Sequence, residues 1–179
     1  WFLQWTGAAW AVIDYMASSG KGPEWYVARL KGSVDEPEHA HRKAYLFGEH
    51  LLPHDAESVQ KGLPNCATYA DTLRQLGLEN VRTVPRTNSV ANDINEVRKT
   101  LALCMFDEAK CAPGIDALRS YRREWNGKLH TYHDRPLHDW ASDPADAFRT
   151  FAMGRPQERD LNDNEEWHEM AEPDAVTGY

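Results

Sequence analysis

Two carboxylates stand one helical turn apart near the end of the chain, in the run His138-Asp139-Trp140-Ala141-Ser142-Asp143-Pro144-Ala145-Asp146-Ala147-Phe148-Arg149. Pro144 suits the first turn of a helix, where its missing N–H has no intrahelical partner to lose. Asp143 and Asp146 then share one face at the helix mouth. Carboxylate oxygens gathered there are hard ligands suited to Mg²⁺ or Mn²⁺. The same residues have a plainer use. Ser142 or Asp143 could cap the open backbone N–H groups, and Asp146 could simply complement the helix dipole. The run alone supports both readings.

A second stretch adds an acid from elsewhere in the chain. Tyr45 to Glu57 is mostly apolar as far as Pro53 and then turns acidic, which predicts a strand whose end projects Asp55. An acid on a strand and another on a late helix is how RNase H-like folds build a two-metal site. In such sites two cations about 3.5–4 Å apart stabilise the attacking and leaving oxygens of a phosphodiester.

A third group is basic. Arg119, Arg122, Arg123 and Lys128 are interleaved with Tyr121 and Trp125 inside a helix expected over Pro113 to Leu129. On that helix Arg119 and Arg122 share a face and could meet DNA phosphates without reading sequence. Arg82 and Arg86 flank a strand end that could border the same groove. The competing reading is a set of ordinary solvated charges on an amphipathic helix.

Positioning these groups requires a mixed set of elements. Trp1 to Trp5 and Ala9 to Met16 read as strands joined at Thr6-Gly7, with Asp14 structural. Glu24 to Lys31 has helical spacing, and Ser33 to Lys43 reads as a charged linker. Thr68 to Leu76 predicts a short helix stopped by Gly77, and Val81 to Val84 a strand. Ser89 to Leu103 predicts the clearest helix, with Val90, Ile94, Val97, Leu101 and Cys104 on one apolar stripe. Pro113 to Leu129 would turn Ile115, Leu118, Trp125 and Leu129 inward. Asp143 to Met153 predicts the last helix, with Phe148, Phe151 and Ala152 under the sheet. Strands first, then strands alternating with helices, fit an α/β class: a mixed sheet flanked by helices.

Composition narrows the classes further. A chain of 179 residues fits one domain plus a tail. Mean hydropathy is −0.69, and no apolar stretch approaches the roughly 20 residues a bilayer span requires. Neither a membrane partner nor a signal peptide is expected. Cys66, Cys104 and Cys111 form no C-x-x-C pair, so neither zinc nor a disulfide framework is indicated and a reducing cytoplasm fits best. The net charge of −8 is concentrated at one end: Gln157 to Tyr179 holds eight acids and one Arg, leaving −1 for the other 156 residues. That acidic tail is expected to be disordered, and a DNA-mimicking or partner-contacting role is the sharper alternative.

Four segments, taken in order, carry a family likeness. "LPHDAE", "TVPRTNSVANDINEVRKTL", "CMFDEAKCAPGIDALRSYRREWN" and "RPLHDWASDPADAFR" together resemble the C-terminal nuclease domain of tailed-phage terminase large subunits, the DNA-packaging motors. The likeness spans about Trp1 to Gly154. It implies an RNase H-like fold, a metal-dependent endonuclease acting on double-stranded DNA, and two Mg²⁺ or Mn²⁺ ions. It also implies a portal protein and a terminase small subunit as partners, in the cytoplasm of a bacterial host. Asp55 matches the family's second metal-binding aspartate and Asp146 the last. Position 143, usually histidine, is Asp143 here, which still offers an oxygen ligand. His138-Asp139 belongs to the pattern too and is expected to be structural or to support the ligands.

The family's first metal aspartate precedes a stretch like Trp1 to Trp5, so the opening strand is expected to be truncated here. The phosphate-cradling G-x-x-x-x-G-K-[ST] of the motor's ATPase domain is absent from the sequence. Two readings follow: an endonuclease domain, or a truncated, inactive terminase fragment that binds DNA or the portal without cutting. A His-Asp phosphohydrolase would need its dyads on helices, against the strand signals before Asp55. No G-x-S-x-G elbow supports a serine hydrolase.

Overall fold

The computed structural model describes residues 1–33, 36–59 and 67–156; the acidic tail from Gln157 and Cys66 lie outside the described residues. Along the chain, β1 (Phe2–Trp5) and β2 (Trp10–Asp14) precede α1 (Pro23–Leu30) and the short α2 (Pro37–Ala40). Next come β3 (His50–Pro53), α3 (Tyr69–Gln75), β4 (Val81–Val84) and α4 (Val90–Leu101). They are followed by β5 (Cys104–Phe106), α5 (Glu108–Ser120), β6 (Arg123–Asn126), β7 (Thr131–Pro136) and α6 (Ser142–Gly154). The class is mixed α/β, with small sheets. None of the described helices is long and apolar enough to cross a membrane.

β1 and β2 form the expected hairpin. The Thr6 hydroxyl donates to the Ala9 carbonyl at 2.9 Å, and Gly7 takes the left-handed φ of +85° that the turn requires. β2 alternates, burying Trp10, Val12 and Asp14, and pairs in parallel with β5. β3 and β4 form a separate parallel pair with Leu51 opposite Arg82, and β6 and β7 an antiparallel hairpin. The strand order β1-β2-β5 therefore leaves β1 as an edge, and β3 is an edge of its own pair.

One helix ties the β1-β2-β5 sheet to the β3-β4 pair. α6 buries Phe148, Phe151 and Ala152, as its apolar spacing predicts, and packs against β3, β4, α4 and α5. Trp10, Val12, Cys111, Phe148 and Phe151 form the main core, with Trp1, Leu3, Leu51 and Ile115 packed around it. Gly114 is required by this packing: a Cβ there would lie 2.4 Å from the Trp1 ring. A smaller core of Val27, Leu73 and Leu78 joins α1 to α3.

Helix starts follow their caps. The Ser89 hydroxyl accepts from the Asn92 N–H at the start of α4. At α3 the Thr68 hydroxyl accepts from the Asp71 N–H at 3.0 Å while the Asp71 carboxylate accepts from the Thr68 N–H at 3.3 Å. This reciprocal box satisfies two donors that would otherwise lack a partner. Thr68→Ala is expected to destabilise the fold by about 1 kcal/mol. A urea midpoint unchanged by the substitution would show that α3 does not depend on its cap.

Several expectations are corrected. The helix over Pro113 to Leu129 does not exist as one element: α5 begins earlier, at Glu108, and stops at Ser120. Its start is set by Asp107, whose carboxylate accepts from the Ala109 and Lys110 N–H groups at 3.1 and 3.0 Å. Its end gives way to the β6–β7 hairpin, because Asn126 Oδ1 closes a turn by accepting from the N–H groups of Lys128 and Leu129. Cross-strand pairing of Trp125 with Tyr132 and of Glu124 with Arg135 then favours strands. Trp125 and Leu129 consequently point outward instead of inward. Val90, placed on the α4 core stripe by spacing, is exposed as well.

The strand leading to Asp55 is only His50–Pro53, and Asp55 sits in the 3-10 turn His54–Glu57 that follows it. Pro53 lacks the N–H to extend the ladder and supplies the φ of −67° at which the turn begins. The Ser33 to Lys43 stretch is no plain linker either: it contains α2 and leads into a 3-10 turn over His41–Ala44 that carries Arg42 to Asp14.

Candidate functional site

The mouth of α6 is held from three directions. The Trp1 indole N–H donates to the Pro144 carbonyl at 2.9 Å, fixing the opening strand against the first helical turn. The Ser142 hydroxyl donates to the Leu137 carbonyl at 3.1 Å and accepts from the Asp139 N–H at 2.9 Å. Asp139 accepts from the Ala141 N–H at 3.0 Å and pairs with Arg122 at 3.4 Å. Asp139 is thereby the structural member of the run.

The capping reading of Ser142 and Asp143 does not hold. The N-cap position is Ala141, with no side-chain cap bond, because Ser142 turns back into the preceding loop. Asp143 is left exposed at the start of the helix. Its charge reaches two neighbours: burial chiefly, and Asp143 in addition, raise the Tyr15 hydroxyl above its usual range. Asp146 is also held above the ordinary carboxylate range. Burial is the largest cause and the like charge of Asp143 adds to it, while Arg149 and His138 oppose. Arg149 reaches Asp146 at 3.2 Å across one turn.

Asp55 is exposed beside a shallow hollow of about 200 Å³ lined by Leu52, Pro53, Ala56 and Tyr69. Its strand, β3, packs against the helix that carries Asp143 and Asp146. Asp55 itself sits in the 3-10 turn beyond that strand, and the oxygens of Asp55, Asp143 and Asp146 do not all converge within 4.8 Å of one another. Among the described residues only Glu36, Glu38 and His39 do so. Glu36 is already ion-paired with Arg29, so that surface group is accounted for without a cation. At α6 Asp143 and Asp146 offer oxygen donors of the kind a hard divalent ion takes. Two carboxylates one turn apart repel each other, and a cation placed between them removes the repulsion.

Asp14 is structural, as its apolar surroundings suggest. It is buried and accepts from Arg42 Nε at 2.7 Å and Arg42 Nη2 at 3.2 Å, with His41 Nε2 at 2.8 Å.

The basic residues are redistributed by the hairpin. Arg119 lies exposed in the last turn of α5, Arg122 pairs with Asp139, Arg123 is on β6, and Lys128 is in the hairpin turn. They do not share one helix face. Arg82 is not available to phosphate: it binds Glu49 at 2.8 Å and the Gly154 carbonyl at 2.6 Å, pinning the end of α6 to β4. Sequence reasoning missed the exposed aromatics Trp125, Tyr132 and Trp140 because helical spacing had assigned the first to the core. The Asn126-Gly127 pair before Lys128 was the turn signal that would have exposed the hairpin.

Comparison with family models, with curated proteins and with solved structures finds no match to this chain.

Proposed function

We propose that this chain is the metal-dependent endonuclease domain of a tailed-phage terminase large subunit, cutting concatemeric viral DNA during packaging in the bacterial cytoplasm. The observation that carries the reading is the Asp143–Asp146 pair on α6, where burial above all, with a smaller push from the Asp143 charge, holds Asp146 above the usual carboxylate range against Arg149. A carboxylate held in that state is primed to gain from a cation. Asp55, Asp143 and Asp146 would hold the ions, two Mg²⁺ or Mn²⁺. Bound there, such ions supply charge stabilisation to the attacking and leaving oxygens of a phosphodiester.

The chain's own groups do the rest. Arg149 balances Asp146 at 3.2 Å. Asp139, Ser142 and Trp1 hold the helix mouth rigid, so the two carboxylates keep their spacing. Arg119, Arg123 and Lys128 supply phosphate contacts without base readout, which suits a cut of little sequence preference.

The RNase H-like arrangement is part of the same reading. β1 and β3 are unpaired edges of two sheets that pack on α6. A portal protein and a terminase small subunit are the partners this reading implies.

The second reading, a fragment that binds DNA or the portal without cutting, is favoured by one observation: the oxygens of Asp55, Asp143 and Asp146 do not all converge into one group. Plasmid nicking in Mn²⁺ separates the two. Nicking by the purified chain that disappears in Asp146→Ala and with a chelator is the expected result. Absence of cleavage from a well-folded chain, unrelieved by adding an upstream aspartate-bearing strand, would sink the nuclease reading.

A further inference from the structure

The β6–β7 hairpin carries side chains that neither the core nor the carboxylate pair uses. Trp125 and Tyr132 are cross-strand partners and therefore share one face, their rings 4.9 Å apart and 71° from parallel. That face is open: Trp125 is 51% exposed, Tyr132 57%, and Leu129 at the tip 71%. Trp140, 62% exposed, follows the hairpin just before α6 begins. Among the described residues the hairpin makes no extensive contact with any other element. The pairing of Trp125 with Tyr132 explains the hairpin's stability. It does not explain why large aromatic surfaces are kept in water.

The surrounding charge narrows what could cover them. From Arg119 to Asp139 there are five Arg or Lys and three acids, a local balance of +2 within a chain of −8. Glu124 is matched by Arg135 at 2.7 Å, and Asp134 lies 3.9 Å from Arg123. Arg119 and Lys128 have no acidic partner among the described residues. An apolar protein partner would not call for this excess of cations, whereas a polyanion with flat apolar rings would. Duplex DNA hides its base faces in the stack, so only unpaired nucleotides offer both features at once.

We infer that the Trp125–Tyr132 face is a stacking platform for unpaired nucleobases of DNA, with the flanking phosphates held by Arg119, Arg123 and Lys128. It rests on the nuclease reading only for the source of such DNA, the frayed or nicked strand beside a cut. Trp140, also exposed, lies in sequence between the platform and the helix bearing Asp143 and Asp146.

The test is binding without divalent metal, so that cleavage plays no part. Labelled oligothymidine and a duplex of equal length are titrated with the full chain and with two double variants. Trp125→Ala with Tyr132→Ala removes the platform, and Trp125→Leu with Tyr132→Leu keeps its apolar bulk but not its aromatic faces. Both are expected to weaken oligothymidine binding at least about tenfold, the scale of aromatic–base stacking, while changing duplex affinity less than about twofold. Lys128→Ala should weaken both DNAs alike and reduce the salt slope by about one. Oligothymidine affinity unchanged in a leucine variant with wild-type circular dichroism would overturn the inference, as would equal losses for both DNAs. A chain that binds oligothymidine through Trp125 and Tyr132 but never nicks plasmid would remove the nuclease reading and leave the platform standing.

Discussion

Asp14→Ala is expected to destabilise the fold by about 3–5 kcal/mol, because it leaves a buried guanidinium without its counter-charge. Asp14 is 3% exposed and Arg42 2%. Besides its two bonds to Asp14, Arg42 sits 3.0 Å from His39 Nδ1 and lies over the Phe2 ring at 4.7 Å. None of those neighbours offers a full negative charge, so the cation cannot be neutralised by rearrangement. Replacing both members with apolar residues, Asp14→Leu with Arg42→Met, should recover much of the loss. Urea unfolding of the three variants measures this directly. An Asp14→Ala midpoint close to wild type would mean that Arg42 reaches solvent.

The same pair predicts an acid limb. Burial, the largest influence on Asp14, pushes its carboxyl up, but hydrogen bonds from Arg42 and His41, the Arg42 charge and the Tyr15 N–H together outweigh it. The net result lies below the ordinary value. A folded-state pKa below the unfolded one contributes stability that is present above the unfolded pKa and disappears as pH falls through the folded pKa. Stability should therefore decline below about pH 4, and part of that decline should be missing in the apolar double variant. Parallel pH profiles for the two proteins would remove Asp14 as its source.

Phe148→Ala is the second large effect, again about 3–5 kcal/mol. Phe148 is fully buried, edge-on to Trp1 at 5.5 Å, stacked on Phe106 at 6.0 Å and tilted against Phe151 at 5.7 Å. Removing it opens a cavity where α6, β1 and β5 meet, which rigid backbones cannot close. In a chain of this size each kcal/mol moves the melting temperature by about 2–4 °C, so a drop on the order of 10 °C is expected. Trp125→Ala provides the contrast. It removes an even larger ring, but one that is half exposed on the hairpin, and should cost no more than about 1 kcal/mol. Similar melting temperatures for the two variants would contradict the placement of the core.

Phe148 also links stability to the proposed chemistry. It lies two residues beyond Asp146 on α6, so a cavity beneath it loosens the helix that sets the spacing from Asp143. Loss of nicking in Phe148→Ala at temperatures where the fold persists would report that loosening.

Much of the molecule was legible in the chain. The apolar spacing of Phe148, Phe151 and Ala152 placed α6, the Thr6-Gly7 turn placed the first hairpin, and Val81 to Val84 was read as a strand with its observed bounds. These are local signals: a period, a turn residue, a run of β-branched side chains. The burial of Asp14 was legible too, since an acid inside an apolar strand has to find a partner. Its partner was not, because Arg42 lies 28 residues away in a stretch whose charges resembled a linker.

The failures share one cause. Trp125 and Leu129 satisfied a helical period, but the turn closed by Asn126 and the pairing across to Tyr132 were the stronger constraints. Periodicity records only spacing, whereas pairing depends on residues further along the chain. The sequence by itself determined which residues could do chemistry here: Asp55, Asp143 and Asp146 as carboxylates, Arg119, Arg123 and Lys128 as cations. Only the tertiary structure decided that Asp143 does not cap α6 and lies exposed near a half-buried Asp146, that the three aspartates do not converge as one group, and that Arg82 is committed to the end of α6. Distances between groups far apart in sequence are set by packing, and no local pattern encodes them.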